Sequence, residues 1–278
     1  MGTSFKDKTV IITGASMGVG AACARAFCAE GANLVLVARG ADALNTLASE
    51  LEHSTGVLAV AMDVADCDAG VKLLEQAQQR FGRIDVLVNN AGTHNRGDVS
   101  SLSPTAVTAM IDVNLRAPLF LSAAVIPYLE KQAGGAIIML GSLAGRTPMQ
   151  GAATYGATKA GLRSFSYALR DELRSKGIHV GVISPGPIDT GFIMDDIDEV
   201  EDIVFSQTMS TAAQVATDVL AVARGEADEL CLPRSGGLLT HLSYLLPRLR
   251  RKMRARLYAV GRKNKEKYRK MQRNNHTA

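Results

Sequence analysis

Short apolar runs alternate with amphipathic segments of helical length along most of the chain. This alternation restricts the fold more than any other feature, because strands that are apolar throughout are buried on both faces of a sheet. We predict strands over residues 9–12, 33–37, 57–62, 86–88, 136–140 and 179–183, and a last one over residues 229–232. Helices between such strands indicate βαβ units. The pattern therefore predicts one α/β domain over residues 1–235, a Rossmann-like, doubly wound parallel sheet.

Composition agrees with one large core. The chain has 278 residues, of which 47% are hydrophobic and 21% charged, which argues against global disorder. The four cysteines and five histidines show no metal-ligand spacing, so we predict reduced thiols and no metal site. No apolar run reaches the roughly 18 residues of a membrane span, and no signal peptide precedes the first strand. We therefore expect a cytoplasmic protein.

The net charge of +4 hides an asymmetry between the two parts of the chain. Residues 247–278 contain 13 Lys or Arg and one acid, whereas the first 246 residues contain 18 basic and 26 acidic side chains. Leucine, methionine and valine recur at steps of three and four over residues 239–260, which predicts an amphipathic helix. Residues 236–278 are thus predicted to be a basic amphipathic helical extension. Either it packs on the body or on a partner subunit, or it contacts an anionic membrane surface. Nucleic acid is not expected, because the extension has no aromatic-rich binding surface.

A glycine-rich turn (TGASMGVG, residues 13–20) follows the first predicted strand and opens the first predicted helix. Glycines permit a tight turn and close approach of a pyrophosphate, and the helix N-terminus attracts the anion. Such a turn is also compatible with an ordinary loop, but its strand–turn–helix setting favours a dinucleotide site. The predicted cofactor residues of this turn are Gly14, Ser16, Met17, Gly18, Val19 and Gly20.

Arg39 follows the second predicted strand, where an NAD-selective domain usually has an acid for the ribose hydroxyls. An arginine there can bind a 2′-phosphate through two parallel hydrogen bonds, so NADP(H) is favoured over NAD(H). A solvated surface arginine is the alternative. Met17 weakens the argument, because a second basic residue often occupies this turn in phosphate-binding proteins.

Tyr155 and Lys159 are four residues apart, which places them on one face of a helix. A nearby ammonium favours phenolate, and this would bring the tyrosine pKa from about 10 towards neutrality. Ser142 follows the strand at residues 136–140, so its hydroxyl would lie at the carboxyl edge of the sheet and could hydrogen-bond a substrate oxygen.

Together these residues resemble the short-chain dehydrogenase/reductase family over about residues 5 to 235. Further marks of the resemblance are the pair Asp63 and Val64, the segment NNAG (residues 89–92), Asn114, and the segment PGPIDT (residues 185–190). The resemblance implies hydride transfer to or from a nicotinamide cofactor, and homodimers or homotetramers.

The resemblance also implies a role for each matched residue. Ser142 and Tyr155 would bind the substrate oxygen, Lys159 would hold the nicotinamide ribose, and Asn114 would bend a helix and hold a water that links Lys159 to solvent. The remaining cofactor residues would be Asp63, Val64, Asn90, Ala91, Gly92, Pro185, Gly186, Ile188 and Thr190. Alternatives stay open at three positions: Asp63 or Thr190 as a helix cap, and Asn114 as a buried hydrogen-bonding residue.

Residues 191–210 would form a loop over the substrate. Its six acidic residues are either the solvated face of a helix or part of a lid that disfavours anionic substrates or docks on the basic extension. Its apolar residues could line a hydrophobic pocket: Phe192, Ile193, Met194, Ile197, Val204 and Phe205. His94 is expected to be a loop residue without a function; the alternative is that it reaches the substrate cavity.

The sequence therefore predicts an NADP(H)-dependent oxidoreductase that interconverts a lipophilic ketone or aldehyde and an alcohol. The alternatives are a regulatory cofactor-binding protein and a membrane-recruited scaffold, both on the same fold and without significant turnover.

Overall fold

The computed structural model describes residues 4–276, with side chains as far as Met271. This part of the chain contains nine strands and ten α-helices. The strands are β1 Thr9–Thr13, β2 Asn33–Ala38, β3 Val57–Ala61, β4 Val86–Asn89, β5 Gly135–Leu140, β6 Ile178–Pro185, β7 Ile188–Asp189, β8 Ser210–Thr211 and β9 Glu229–Leu232. The helices are α1 Gly18–Ala29, α2 Ala41–Leu51, α3 Cys67–Phe81, α4 Pro104–Ile111, α5 Ala117–Lys131, α6 Ala153–Leu173, α7 Gly191–Met194, α8 Ala212–Ala223, α9 Gly236–Leu245 and α10 Pro247–His276.

Seven strands form one parallel sheet in the order β3-β2-β1-β4-β5-β6-β9. The strand order reverses between β1 and β4, which is where ligands of doubly wound sheets bind. All seven predicted strands are present, each within about two residues of its predicted ends. The predicted Rossmann-like, doubly wound α/β fold is therefore confirmed.

Alternate residues of each central strand pack on opposite faces of the sheet. Val10 and Ile12 of β1 join Phe27 of α1 in one apolar core, whereas Ile11 joins Leu74 of α3 in the other. All five of these side chains are almost fully buried. This burial on both faces explains why the strands read as continuous apolar runs.

Residues 104–131 form one continuous helical run through α4, a turn of π-helix at Asp112–Arg116, and α5. The run is long and apolar enough to cross a membrane by length and composition, although polar residues interrupt its apolar stretches. Its Leu121, Val125 and Leu129 are buried in the core between α3 and the sheet. A core helix of an α/β domain has this property, so the run is weak evidence for a membrane span.

The basic extension is helical, as predicted, but it consists of two helices because Pro247 starts α10. α10 packs against residues 198–206 of the acidic loop. Arg262 and Lys265 form ion pairs with Asp202, and Arg269 pairs with Asp198. The Lys265 ammonium also donates to the carbonyls of Asp198 and Val200, at 3.2 and 2.6 Å. Of the two interpretations of the acidic loop, docking on the extension is the one that the structure shows for these residues.

An apolar cluster lies beneath these ion pairs. Ile193, Ile197, Val200 and Phe205 are buried together, and Tyr268 of α10 packs on Phe205 with ring centroids 5.9 Å apart. α10 thus covers the core of the acidic loop. The division of the chain into domains after residue 235 stays a prediction.

Candidate active site

A cavity of about 870 Å³ opens at the carboxyl ends of β1, β2, β4, β5 and β6. It brings together most of the residues that the sequence singles out. Those that line it are Gly14, Ser16, Met17, Gly18, Val19, Arg39, Asp63, Val64, Asn90, Ala91, Gly92, Ser142, Tyr155, Lys159, Pro185, Gly186, Ile188 and Thr190. Gly20 and Asn114 are predicted site residues outside the lining.

The glycine turn forms a close-packed cradle at one end of the cavity. Gly14 has a φ of +66°, and a Cβ there would lie 2.9 Å from the Cα of Ala91. A Cβ at Gly20 would lie 2.1 Å from the Gly14 carbonyl oxygen. Gly20 therefore lets α1 pack closely on the turn, and its contact with a cofactor stays a prediction.

Asn90 ties the turn to β4. Its side-chain amide donates to the carbonyls of Thr13 and Gly14, at 2.8 and 3.1 Å. The Thr13 hydroxyl in turn accepts from the backbone N–H groups of Asn90 and Ala91, both at 3.0 Å. These bonds hold β1 and β4 together at the point where the strand order reverses, as the family resemblance implies.

Arg39 and Asp63 lie where β2 and β3 end, at the same end of the cavity as the turn. The Arg39 side chain is exposed, and Met17 of the turn, which also lines the cavity, is 64% exposed. Asp63 accepts a hydrogen bond from the backbone of Ala65, but Asp66 is the residue that caps α3. The alternative role of Asp63 as a helix cap is therefore wrong. Thr190 precedes α7, but its hydroxyl forms no capping bond.

Tyr155 and Lys159 lie one turn apart on α6 and both face the cavity. The Lys159 ammonium lies 5.7 Å from the centre of the Tyr155 ring and donates to the carbonyl of Leu140 at 2.7 Å. Burial lowers the pKa of Lys159 to about 8, since a cation is poorly solvated there. The predicted pairing of the two residues along the helix is present.

Burial raises the pKa of Tyr155, which reverses the direction expected from the Tyr155–Lys159 spacing. The desolvation of a phenolate outweighs the opposing effects, which are a hydrogen bond with Ser142 and the charge of Arg96. Ser142 follows β5 as predicted, and its hydroxyl accepts from the N–H of Ala144 at 3.1 Å. The tyrosine is thus held as a neutral acid beside a serine hydroxyl.

Asn114 lies in the π-helical turn between α4 and α5 and is fully buried. Its Oδ1 accepts from the N–H of Thr93 and its Nδ2 donates to the carbonyl of Thr93, both at 2.8 Å. Asn114 therefore fixes the loop after β4 from outside the cavity. The buried hydrogen-bonding role is present, and the π-helical turn interrupts the regular helix at this residue.

His94 is a residue whose role the sequence underestimates. It lines the cavity, and its ring stacks on that of Tyr155 with centroids 4.3 Å apart and an interplanar angle of 18°. Burial, followed by the charge of Arg96, lowers its pKa to about 4, so it is neutral at pH 7. The only sequence feature that pointed to a role for His94 was its place just after NNAG. No sequence feature pointed to a role for Arg96.

Glu229 is a second residue that the sequence did not identify. It forms ion pairs with Arg146 and Arg163, and it accepts from the hydroxyls of Tyr167 and Ser184 at 2.8 and 2.7 Å. Although burial opposes it, these donors lower the pKa of Glu229 to about 2. Because Arg146 follows the Ser142 segment, this network fixes that segment to α6 and β9.

The loop segment after β6 closes the cavity. Phe192, Ile193 and Val204 line it, as predicted, whereas Ile197 and Phe205 belong to the cluster beneath α10 and are not part of the lining. Leu143 and Met149 are further apolar residues of the lining.

Comparison with known proteins agrees with this architecture. The family model described as short chain dehydrogenase matches residues 8–201, which is more than half of the chain. An uncharacterized oxidoreductase of Staphylococcus epidermidis is 38% identical over 185 residues, which cover 66% of this chain and 80% of that protein. Dehydrogenase/reductase SDR family member 7B of Bos taurus is 33% identical over 257 residues, which cover 88% of this chain and 79% of that protein. The chain therefore belongs to the short-chain dehydrogenase/reductase family, whose members carry out nicotinamide-dependent oxidoreduction.

Proposed function

We propose that this protein is an NADP(H)-dependent oxidoreductase that interconverts a lipophilic ketone or aldehyde and the corresponding alcohol. The observation that carries the proposal is that Ser142, Tyr155 and Lys159 line the same cavity as the glycine turn. A proton donor and a dinucleotide cradle are the two parts that such a reaction needs. The complete set of residues argues against a regulatory protein without turnover.

The cavity suits a dinucleotide. Side chains are excluded at Gly14 and Gly20, where a Cβ would meet backbone atoms, so the turn can approach a pyrophosphate closely. In this proposal the turn and the α1 N-terminus bind the pyrophosphate, Asp63 and Val64 the adenine, and Thr190 the carboxamide. When bound, the reduced nicotinamide supplies the hydride.

The side chains at the other end of the cavity transfer the proton. Ser142 and Tyr155 hydrogen-bond the carbonyl oxygen, and the Tyr155 hydroxyl gives its proton to that oxygen as negative charge develops. Lys159 holds the ribose and favours the phenolate that remains. Asn114 positions the loop after β4, and a water held there would link Lys159 to solvent. Alcohol oxidation uses the same groups in the reverse order.

The preference for NADP(H) rests on Arg39 at the rim of the cavity. We expect Arg39→Ala to weaken NADPH binding by about 10–100-fold relative to NADH, because one charge-assisted pair contributes about 1.5–3 kcal/mol. Fluorescence titration of both cofactors measures this ratio. Lys6→Ala, an exposed cation outside the cavity lining, is the control. Equal losses for the two cofactors would contradict the NADP(H) assignment.

The α9 surface supports a second proposal, peripheral attachment to an anionic membrane. Leucines 238, 239, 242 and 245 are 45–74% exposed, and Arg248, Arg250, Arg251 and Lys252 follow at the start of α10. Residues 230–265 contain no Asp or Glu, so a second copy of the same surface would be repelled whereas anionic lipid would be attracted. A cytoplasmic protein recruited to a membrane would meet lipophilic substrates there.

We therefore expect the full chain to sediment with phosphatidylserine vesicles at low salt, and less so at high salt. The double variant Leu242→Glu/Leu245→Glu should lose this binding, because it removes apolar area and adds repulsive charge. Val71→Glu, which changes a 42%-exposed valine on α3, is the matched control. Absence of binding by the unmodified protein at low salt would refute membrane attachment. Vesicle binding without turnover of any carbonyl would favour a scaffold.

Family members are commonly oligomeric, and we infer a homodimer or homotetramer here as well. Sedimentation velocity of the full chain measures the state.

A further inference from the structure

Arg96 is a cation at the substrate end of the cavity. The sequence predicts no role for it, and the proposed mechanism assigns it none. It follows β4 and lines the cavity beside Tyr155 and Phe192. One of its terminal nitrogens lies 3.1 Å from Nδ1 of His94, and the other donates to the carbonyl of Phe192 at 2.5 Å. Its guanidinium lies 5.6 Å from the centre of the Phe192 ring. These contacts fix it between the loop after β4 and α7.

The bond to His94 also fixes a tautomer. A guanidinium can only donate, so Nδ1 of His94 accepts and the proton of the neutral ring is on Nε2. Because that ring stacks on Tyr155, Arg96 is one aromatic ring away from the proposed proton donor. The Arg96 charge also acts to lower the pKa of Tyr155.

Arg96 has no carboxylate partner among the residues whose side chains the structure describes, 4–271. Asp196 and Glu199 raise its pKa only from a distance, and both are exposed. Burial is the largest influence and lowers the pKa. A half-buried cation without an ion pair is partly desolvated, and a ligand anion would offset that cost.

The acidic loop does not supply this anion. Asp198 and Asp202 are bound by cations of α10, and Glu201 accepts from the Tyr258 hydroxyl at 3.0 Å. The docking of α10 therefore directs three of the acidic side chains away from Arg96. Asp196 and Glu199, whose charges act on Arg96 from a distance, form no ion pair with it and stay exposed.

We infer that Arg96 determines specificity for a substrate that carries a carboxylate or phosphate near its carbonyl group. This inference rests on the proposed oxidoreductase function and names its substrate class. The guanidinium has unused N–H groups for such an anion, and planar donors match both groups. Leu143, Met149, Phe192, Ile193 and Val204 would contact the apolar remainder of the molecule.

The test compares oxodecanoates, with the carbonyl at C2 to C5, with their methyl esters as substrates in the presence of NADPH. The wild-type protein should prefer the acids, and Arg96→Met should lower the acid-to-ester ratio of kcat/KM by about 10–100-fold. Arg96→Lys, which keeps the charge but not the planar fork, should restore part of the ratio. A 2-oxoalkyl phosphate in place of the acid distinguishes phosphate from carboxylate. An unchanged ratio in Arg96→Met would overturn the inference and leave Arg96 as a structural contact of Phe192.

A binding measurement separates this inference from the proposed function. Calorimetry should show decanoate binding to the NADPH-loaded protein, decanol binding more weakly, and Arg96→Met losing the difference. If decanoate binds in this way but none of the carbonyl compounds is reduced, the oxidoreductase proposal fails and the anion site stands. If carbonyl compounds are reduced but decanoate and decanol bind alike, the anion site fails alone.

Discussion

Tyr155→Phe is expected to lower kcat by about 10²–10⁴-fold, the contribution of a positioned general acid. The substitution removes only the hydroxyl, so the stacking of His94 on the ring and the glycine cradle stay intact. The dissociation constant of NADPH should therefore change little. Pre-steady-state reduction of a carbonyl substrate, with NADPH binding measured in parallel, checks both expectations.

The matched control is Tyr244→Phe, which removes the hydroxyl of a 63%-exposed tyrosine on α9. This variant should retain full turnover. Near-normal turnover of Tyr155→Phe would refute the assignment of the proton donor, and a large loss of NADPH affinity would show that the hydroxyl serves binding instead.

Gly261→Ala is expected to have the largest effect among substitutions outside the cavity. A Cβ at Gly261 of α10 would lie 1.8 Å from the carbonyl oxygen of Asp202, so the helix and the acidic loop must move apart. Overpacking of this kind costs about 1–3 kcal/mol of unfolding free energy. Ile193 and Val204 of that loop line the cavity, so KM for the carbonyl substrate should rise. The affinity for NADPH should stay unchanged.

The sign of the change in unfolding free energy distinguishes a packed α10 from a free one. Glycine to alanine inside a solvated helix stabilises by about 0.5–1 kcal/mol, so a free α10 would become more stable. Chemical denaturation and substrate titration distinguish the two outcomes. Lys263→Ala, at an exposed position of the same helix, is the control and should leave KM unchanged. A stabilised Gly261→Ala with unchanged KM would show that α10 does not hold the loop in solution.

The sequence predicted the sheet because its signals are local. A buried parallel strand such as β1 must be apolar throughout, and the turn after it needs glycine for backbone reasons that hold in any context. The spacing of Tyr155 and Lys159 fixes their shared face of α6 before any tertiary contact forms. For the same reason Ser142, placed by the end of β5, lies where it was expected.

Tertiary features were harder to predict. The burial that raises the pKa of Tyr155 depends on which loops cover it, and the spacing of two side chains carries no information on that. Arg96 and Glu229 gain their importance from partners such as Phe192 and Arg146, which are distant in the chain. Periodicity showed that α10 is amphipathic, but only the ion pairs of Asp198 and Asp202 show what its inner face contacts.

In the proposed reaction, hydride passes within this cavity between NADPH and a carbonyl carbon. The most direct measurement follows deuterium from NADPH labelled at C4 of the nicotinamide into the alcohol formed from a carbonyl panel, with labelled NADH as the comparison. We expect one deuterium on the carbinol carbon of the product, and faster transfer from NADPH than from NADH. Tight NADPH binding with no transfer to any ketone or aldehyde would refute the oxidoreductase proposal and favour a cofactor-binding protein without turnover.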